Sequence, residues 1–151
     1  MQIQVDNPKR PVVMRLLQEH LDEMAAKCPP ESIHALGIEA LCADEITFWT
    51  ATEKSALLGC GALLAIDAKH GEIKAMRTAG EHIRKGVGSR ILEHIVETAQ
   101  ARSFSRLSLE TGAMDLFVPA RAFYRRFGFI YCGPFAGYEP DPNSVFMTLE
   151  L

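Results

Sequence analysis

Several features that mark whole classes of protein are missing from this 151-residue chain. No apolar run approaches the roughly 18 residues that a membrane-spanning helix needs, and the first ten residues lack the apolar segment of a secretion signal. The four cysteines contain no C-x-x-C pair, so their spacing supports neither a zinc site nor a small disulfide scaffold. We therefore expect a cytoplasmic protein with free thiols, no metal and no membrane partner.

An excess of positive charge is also missing. Sixteen basic residues stand against nineteen acidic ones, for a formal net charge of −3. Proteins that coat nucleic acid bind through many phosphate contacts made by basic side chains, so this balance predicts no nucleic-acid partner. The basic residues are unevenly distributed, however, and bunch at 82–90 (HIRKGVGSR) and 121–126 (RAFYRR).

Size and composition predict a single domain over residues 1–151. The chain is 48% hydrophobic and 23% charged, and no repeat, low-complexity tract or linker divides it. A domain of this length buries roughly two thirds of its unfolded surface, which is enough to fold without cross-links.

Hydrophobic periodicity predicts elements in the order β α α β β β α β α β β. The predicted strands cover 1–5, 46–52, 57–66, 72–78, 106–111, 129–132 and 144–149, and the predicted helices cover 13–24, 31–42, 87–101 and 120–127. The strand–helix–strand unit between 72 and 111 predicts two parallel neighbours, because such crossovers are right-handed. The fold class is therefore α+β, with a central mixed, mostly antiparallel sheet.

A glycine-rich segment precedes the strongest predicted helix. It reads Arg84-Lys85-Gly86-Val87-Gly88-Ser89. Glycine lets the backbone approach a ligand closely, and the first N–H groups of a helix attract anions. A tight turn with a helix cap would use the same residues. The P-loop and dinucleotide fingerprints are both absent, so a generic nucleotide binder is disfavoured.

This segment resembles the acyl-CoA pyrophosphate loop of the GNAT superfamily of N-acyltransferases, Q/R-x-x-G-x-G/A, with Ile83 departing at the first position. The segment 120–129 (ARAFYRRFGF) resembles that superfamily's A-x-x-x-Y-x-x-x-G-F helix. The predicted element order matches over essentially the whole chain. Within the superfamily, the runs EIKAMRT, RKGVGS and LSLETG are similar to a bacterial group of small, largely uncharacterised acetyltransferases.

The resemblance implies a three-layer fold and an enzyme that transfers acetyl from acetyl-CoA to a primary amine by direct attack. The amine would belong to a small molecule or a protein. The loop 84–89 would hold the phosphates, and the backbone of Met76, Arg77 and Thr78 would pair with the pantetheine arm. Phe117 departs from an Asn that many members use to bind that arm. A non-catalytic acyl-CoA sensor on the same fold is the alternative, and exposed strand edges make a homodimer possible.

The resemblance also implies that Tyr124 is the acid that protonates the departing thiolate. Tyr124 lies on the apolar face of its predicted helix, however, so a purely structural role in the core would also fit. A protonated amine must lose a proton before it attacks. Among the candidate bases, Glu110 ends a strand near the expected thioester position, Glu72 begins the preceding strand, and His34 lies in a region that commonly lines the acceptor site. Each of the three is also compatible with a structural role. The loop 133–143 either flanks an amine-binding pocket or is simply solvated.

Overall fold

The computed structural model describes all 151 residues, and all of its strands belong to one sheet. The strands are β1 (Gln2–Val5), β2 (Ile46–Glu53), β3 (Ala56–Ala65), β4 (His70–Thr78), β5 (Arg106–Gly112), β6 (Ile130–Cys132) and β7 (Ser144–Glu150). The helices are α1 (Pro11–Lys27), α2 (Val87–Ala101) and α3 (Val118–Arg126).

The sheet order is β1-β2-β3-β4-β5-β7-β6, and every pair is antiparallel except β4 with β5. This arrangement confirms the mixed, mostly antiparallel sheet and the parallel crossover through α2. The parallel pairing joins only 70–72 to 106–108, although β4 continues to Thr78 and β5 to Gly112. The two strands therefore diverge in the middle of the sheet.

A β-bulge lies in β4 on the same stretch. Cys60 pairs with Arg77 and Ala62 pairs with Lys74, so two residues of β4 face one residue of β3. One of the two, Ala75, has a φ of 54°. A bulge bends its strand and redirects the side chains that follow it, and here it acts on the part of β4 that leaves β5.

Helices cover both faces of the sheet, which confirms the three layers. Alternate residues of the strands point to opposite faces. On one face, Trp49 and Leu107 pack with α2 and α3 in the larger core cluster. On the other face, Phe48 and Cys60 pack with α1 in a smaller one.

The predicted helix at 31–42 is wrong. The segment instead forms two short 3₁₀ turns, Pro30–Ser32 and Ala40–Cys42, with irregular chain between them. Gly37 lowers helix propensity, and the backbone finds partners elsewhere, because the carbonyl of His34 accepts a hydrogen bond from Lys74. Leu41 is buried against the α1 face, so tertiary packing sets the conformation of this segment.

None of the helices is long and apolar enough to cross a bilayer. No group of three or more His, Cys, Asp or Glu side chains is placed to hold a metal ion. All four cysteines are free thiols.

Candidate functional site

The divergence of β4 from β5 opens into three connected cavities. The loop cavity, about 570 Å³, lies between β4, the segment 84–89 and α3. The inner cavity, about 170 Å³, lies between the diverging strands and α1. The outer cavity, about 780 Å³, continues from it under the loop 133–143. The loop and inner cavities share His20, Met76, Ala120 and Tyr124, and the inner and outer cavities share Ser32, His34, Lys74 and Asn143.

The segment 84–89 presents a row of unpaired backbone donors to the loop cavity. Arg84 and Gly86 both have positive φ, at 68° and 78°, which turns the chain sharply into α2. The first backbone hydrogen bond of α2 runs from Arg90 N–H to the carbonyl of Gly86. The N–H groups of Val87, Gly88 and Ser89 therefore have no acceptor within the helix. Free N–H groups at a helix N-terminus can bind an anion such as a pyrophosphate.

The two basic clusters behave differently in the structure. Arg84 and Arg126 line the loop cavity, whereas the Nζ of Lys85 lies 3.2 Å from Nδ1 of His82. Arg121 instead donates to the carbonyl of Gly112 at 2.6 Å and so fixes the end of β5. Arg125 lies over the ring of Tyr131, 5.4 Å from its centroid. Of the arginines in 121–126, only Arg126 faces this cavity.

Met76, Arg77 and Thr78 form the free edge of β4 along the loop cavity. Arg77 and Thr78 pair with β3 on one side and have no β5 partner on the other. The Arg77 side chain reaches α1, where it donates to Glu23 at 2.6 Å. Its Nε is buried without a hydrogen-bond partner. The backbone edge is therefore open to an extended ligand, while the side chain ties β4 to α1.

Tyr124 lies where the loop and inner cavities meet. It is buried on α3, packs against Phe123 and Phe129, and makes no hydrogen bond within the protein. Burial raises the pKa of its phenol well above the ordinary value. The hydroxyl therefore stays protonated near neutral pH, which is the state that a proton donor needs.

Glu110 also lines the inner cavity, two residues before the end of β5. Burial raises the pKa of its carboxyl to about 7, against the lowering effects of the Ser144 hydroxyl and the Lys74 ammonium. The carboxylates of Glu72 and Asp141 add to the increase. A carboxyl with this pKa can accept a proton at physiological pH.

A hydrogen-bonded triad lines the outer cavity, and one of its members, Lys74, also lines the inner cavity. Lys74 donates to Glu72 at 3.1 Å and to the hydroxyl of Tyr138 at 2.9 Å, and Tyr138 donates to the same Glu72 oxygen at 2.5 Å. The His34 ring packs edge-on against Tyr138, with 5.1 Å between centroids. His34 thus lines both cavities, whereas Glu72 is 3% exposed and accepts hydrogen bonds from Lys74 and Tyr138 at one oxygen.

The loop 133–143 is anchored over the site. Phe135 and Tyr138 pack against Phe146 of β7, and Asp141 accepts a hydrogen bond from Ser32 at 2.7 Å. The loop therefore lines the outer cavity and is not simply a solvated connection.

Sequence analysis assigned no role to Lys74 or His20, which both line the inner cavity. His20 of α1 lines both the loop and the inner cavity. Its position carries a signal, because it lies four residues after Leu16 and four before Met24, on the apolar face of the helix. Met24 and Cys28 continue that face along the inner cavity.

Comparison with known proteins identifies the family. The model of the acetyltransferase (GNAT) family matches residues 13–129. The uncharacterised N-acetyltransferase YsnE of Bacillus subtilis is 56% identical over 151 residues, covering all of both chains. The uncharacterised N-acetyltransferase YedL of Escherichia coli is 45% identical, covering 99% of this chain and 94% of the relative.

Solved structures share the fold over nearly the whole chain. A Klebsiella pneumoniae protein described as an acyl-CoA N-acyltransferase superposes with a TM-score of 0.77 at 25% identity, covering 99% of this chain and 97% of the other. A GNAT family acetyltransferase of Elizabethkingia anophelis, solved with acetyl-CoA bound, gives 0.69 at 18% identity, with coverage of 99% and 97%. These structures share the fold, and the family match with the two bacterial relatives shows that the chain belongs to the GNAT family of acetyltransferases.

Proposed function

We propose that the 151 residues form one cytoplasmic N-acetyltransferase domain that moves an acetyl group from acetyl-CoA to a primary amine by direct attack. The observation that carries this proposal is the arrangement of Tyr124 and Glu110 around one cavity that opens to two others. A proton donor and a proton acceptor thus face the place where two ligands can meet.

The loop cavity suits a long co-substrate with phosphates at one end. The free N–H groups of 87–89, with Arg84 and Arg126 beside them, supply donors and charge for a pyrophosphate. The unpaired edge of β4 at 76–78 offers backbone groups to the amides of a pantetheine arm. The arm would enter the gap between β4 and β5 and bring its thioester toward Tyr124.

Glu110 and Tyr124 then supply the acid–base chemistry. Glu110 takes a proton from the acceptor ammonium, since an amine attacks only in its neutral form. Tyr124 donates its phenolic proton to the sulfur as the carbon–sulfur bond breaks. Acetyl-CoA supplies the activated acyl group, and direct attack needs no nucleophile from the protein. This agrees with the raised pKa values of the Cys28 and Cys60 thiols, the latter about 12, because a thiol attacks as thiolate.

The acceptor approaches from the opposite side, through the outer cavity. Glu31, Glu139 and Asp141 line its outer part, and Lys74 is engaged by Glu72 and Tyr138. This charge distribution favours a positively charged acceptor, from a small molecule or from a protein side chain. The inner cavity, at about 170 Å³, has room for the reacting amine and a short stem.

Calorimetry and a thiol-release assay test the proposal. The purified protein should bind acetyl-CoA and CoA but not ATP, and it should release free thiol from acetyl-CoA across a panel of primary amines. Tight ATP binding without any response to CoA would contradict acyl-CoA recognition. Acetyl-CoA binding without thiol release for any amine would identify a sensor instead of an enzyme.

A further inference from the structure

His20 occupies the junction of the two ligand paths. It is one of four residues that line both the loop cavity and the inner cavity, and Tyr124 is another. Its neighbours along the same face of α1, Met24 and Cys28, line the inner cavity alone, and Glu23 lines the loop cavity alone. The imidazole thus faces the space where the thioester and the amine would meet.

The imidazole has no hydrogen-bond partner in the protein. The ring nitrogens of His20 make no hydrogen bond within the protein and are not fully buried, and the residue lines both cavities. By contrast, a ring nitrogen of His70 shares a hydrogen bond with Ser108. Ring nitrogens without a protein partner are available to a ligand in the cavities.

The surroundings of His20 favour the neutral ring. Burial lowers the pKa of the imidazole below its ordinary value, and the guanidinium of Arg77 lowers it further, while Glu23 opposes both. The remaining titratable and charged groups around the two cavities are Cys28, His34, Cys60, Lys74, Arg84, Glu110, Tyr124 and Arg126. A neutral imidazole has one nitrogen free to accept a proton.

We propose that His20 is a second catalytic base, which takes a proton from the attacking nitrogen as the carbon–nitrogen bond forms and returns it to Tyr124. This inference rests on the proposed acetyltransferase function. His20 would accept the second of the two protons that the nitrogen gives up. Glu110 removes one proton from the ammonium, and the attacking nitrogen must lose another to become an amide.

The protons then balance within the site. The nitrogen bonds to the thioester carbonyl carbon, and its proton passes to His20. The carbon–sulfur bond breaks, and the sulfur takes the proton of Tyr124. The resulting phenolate recovers a proton from the imidazolium, so His20 and Tyr124 both return to their starting states. The proton that Glu110 removed leaves to solvent, and the products are the acetylated amine and the free thiol.

Two variants and chemical rescue test the role of His20. His20→Gln keeps a polar side chain of similar length, and we expect its kcat to fall about 10- to 100-fold, with acetyl-CoA affinity by calorimetry within about threefold of the parent. His20→Ala should lose at least as much, and added imidazole should restore part of its kcat. His94→Gln is the matched control, because His94 packs against Trp49 and lines neither cavity. It should keep the parental rate.

A measurement that needs no turnover separates this inference from the proposed function. In NMR spectra of the ring nitrogens, His20 should be neutral at pH 7, and its signals should shift when acetyl-CoA is added, while those of His94 stay. A His20 that is protonated at pH 7, or unmoved by acetyl-CoA, overturns its role whether or not an amine is acetylated.

The kinetic results are equally decisive. If the parent acetylates amines and His20→Gln retains the parental kcat, His20 is not a base and the proposed function stands. If imidazole does not restore any of the kcat lost in His20→Ala, the proposal is also overturned. That result would indicate a structural defect, which a small base does not repair. If no amine is acetylated by the parent, the proposed function fails and His20 has no transfer step to serve.

Discussion

The two sides of the site are built from different parts of the polypeptide. On the loop-cavity side, the binding groups are backbone N–H groups at 87–89 and the open edge of β4 at 76–78, with few side chains required. On the outer-cavity side, the walls are the side chains of Glu72, Lys74 and Tyr138, held by hydrogen bonds to one another. The backbone-built side depends on glycine positions and chain geometry, whereas the other depends on residue identity.

This difference predicts how strongly ligand binding on each side depends on the amino-acid sequence. A backbone cradle tolerates many side chains and therefore suits a ligand that stays the same. A network of side chains changes its shape and charge with single substitutions, and so it suits a ligand that differs between relatives. Tyr124 and Glu110 lie between the loop-cavity side and the outer-cavity side. Variants on each side should separate the contribution of co-substrate binding from that of acceptor binding.

The largest effect should come from Tyr124→Phe. Without the phenolic proton, the departing thiolate must be protonated from solvent, so we expect kcat to fall by about 100-fold or more. Acetyl-CoA affinity should change by less than about threefold, because the ring still packs against Phe123 and Phe129. Steady-state thiol release with calorimetry measures both. Tyr131→Phe, on the exposed edge strand β6, is the control. An unchanged kcat would remove Tyr124 from the mechanism.

Glu110→Gln should come next, with a loss of about 10- to 100-fold in kcat/KM at pH 8. Since the pKa of Glu110 is about 7, its carboxylate forms as the pH rises through 7, and the parental kcat/KM should rise and then level off there. The variant should lack this rise. A profile that keeps an inflection near pH 7 after the substitution would assign it to another group.

The same substitution should also change stability. A carboxyl whose pKa is raised from 4.5 to about 7 binds its proton more tightly in the folded state, so its contribution to stability falls as pH rises through that interval. Glu110→Gln should therefore be more stable than the parent at pH 8, on the order of 1–3 kcal/mol, and nearly equal near pH 4. Urea unfolding at the two pH values measures the difference.

Gly86→Ala should weaken acetyl-CoA binding by about 5- to 30-fold. Gly86 has a φ of 78°, which costs a residue with a Cβ about 1–2 kcal/mol, so the loop should relax away from its binding geometry. Calorimetry measures the affinity. Gly133→Ala is the matched control, because its added Cβ meets nothing within 4 Å and its φ is unremarkable. Equal affinities for the two variants would show that the cradle does not depend on this conformation.

The smallest effect should come from Tyr138→Phe, on the acceptor side. The change removes one hydrogen bond to Lys74 and one to Glu72 but keeps the ring against Phe146. We expect KM for the amine to rise about 3- to 10-fold, with acetyl-CoA affinity unaltered. If acetyl-CoA affinity fell instead, the two sides of the site would not be independent.

Sequence reasoning predicted the backbone-built side better than the other. The parallel crossover, the strand bounds and the glycine-rich turn follow from local pattern, because periodicity and φ preferences act between near neighbours. The prediction of a helix at 31–42 was wrong because the carbonyl of His34 accepts a hydrogen bond from Lys74, which is 40 residues away in sequence. Such a partner leaves no trace in local spacing.

The network of Glu72, Lys74 and Tyr138 could not be predicted from the sequence for the same reason. Glu72 and Tyr138 are 66 residues apart in sequence and share a hydrogen bond only because the loop 133–143 folds over β4. His20 was not predicted as a site residue because the apolar face of a helix normally packs into the hydrophobic core. Only the structure shows that this part of the face borders two cavities.

The diverging strands also bear on how the protein avoids unwanted association. An unpaired strand edge is a template for another polypeptide, and most sheets protect such edges at their margins. Here an open edge lies inside the sheet instead, and residues of α1 and α3 line the same cavities beside it. The edge that would serve a ligand is therefore flanked by helices, unlike an edge at the margin of the sheet.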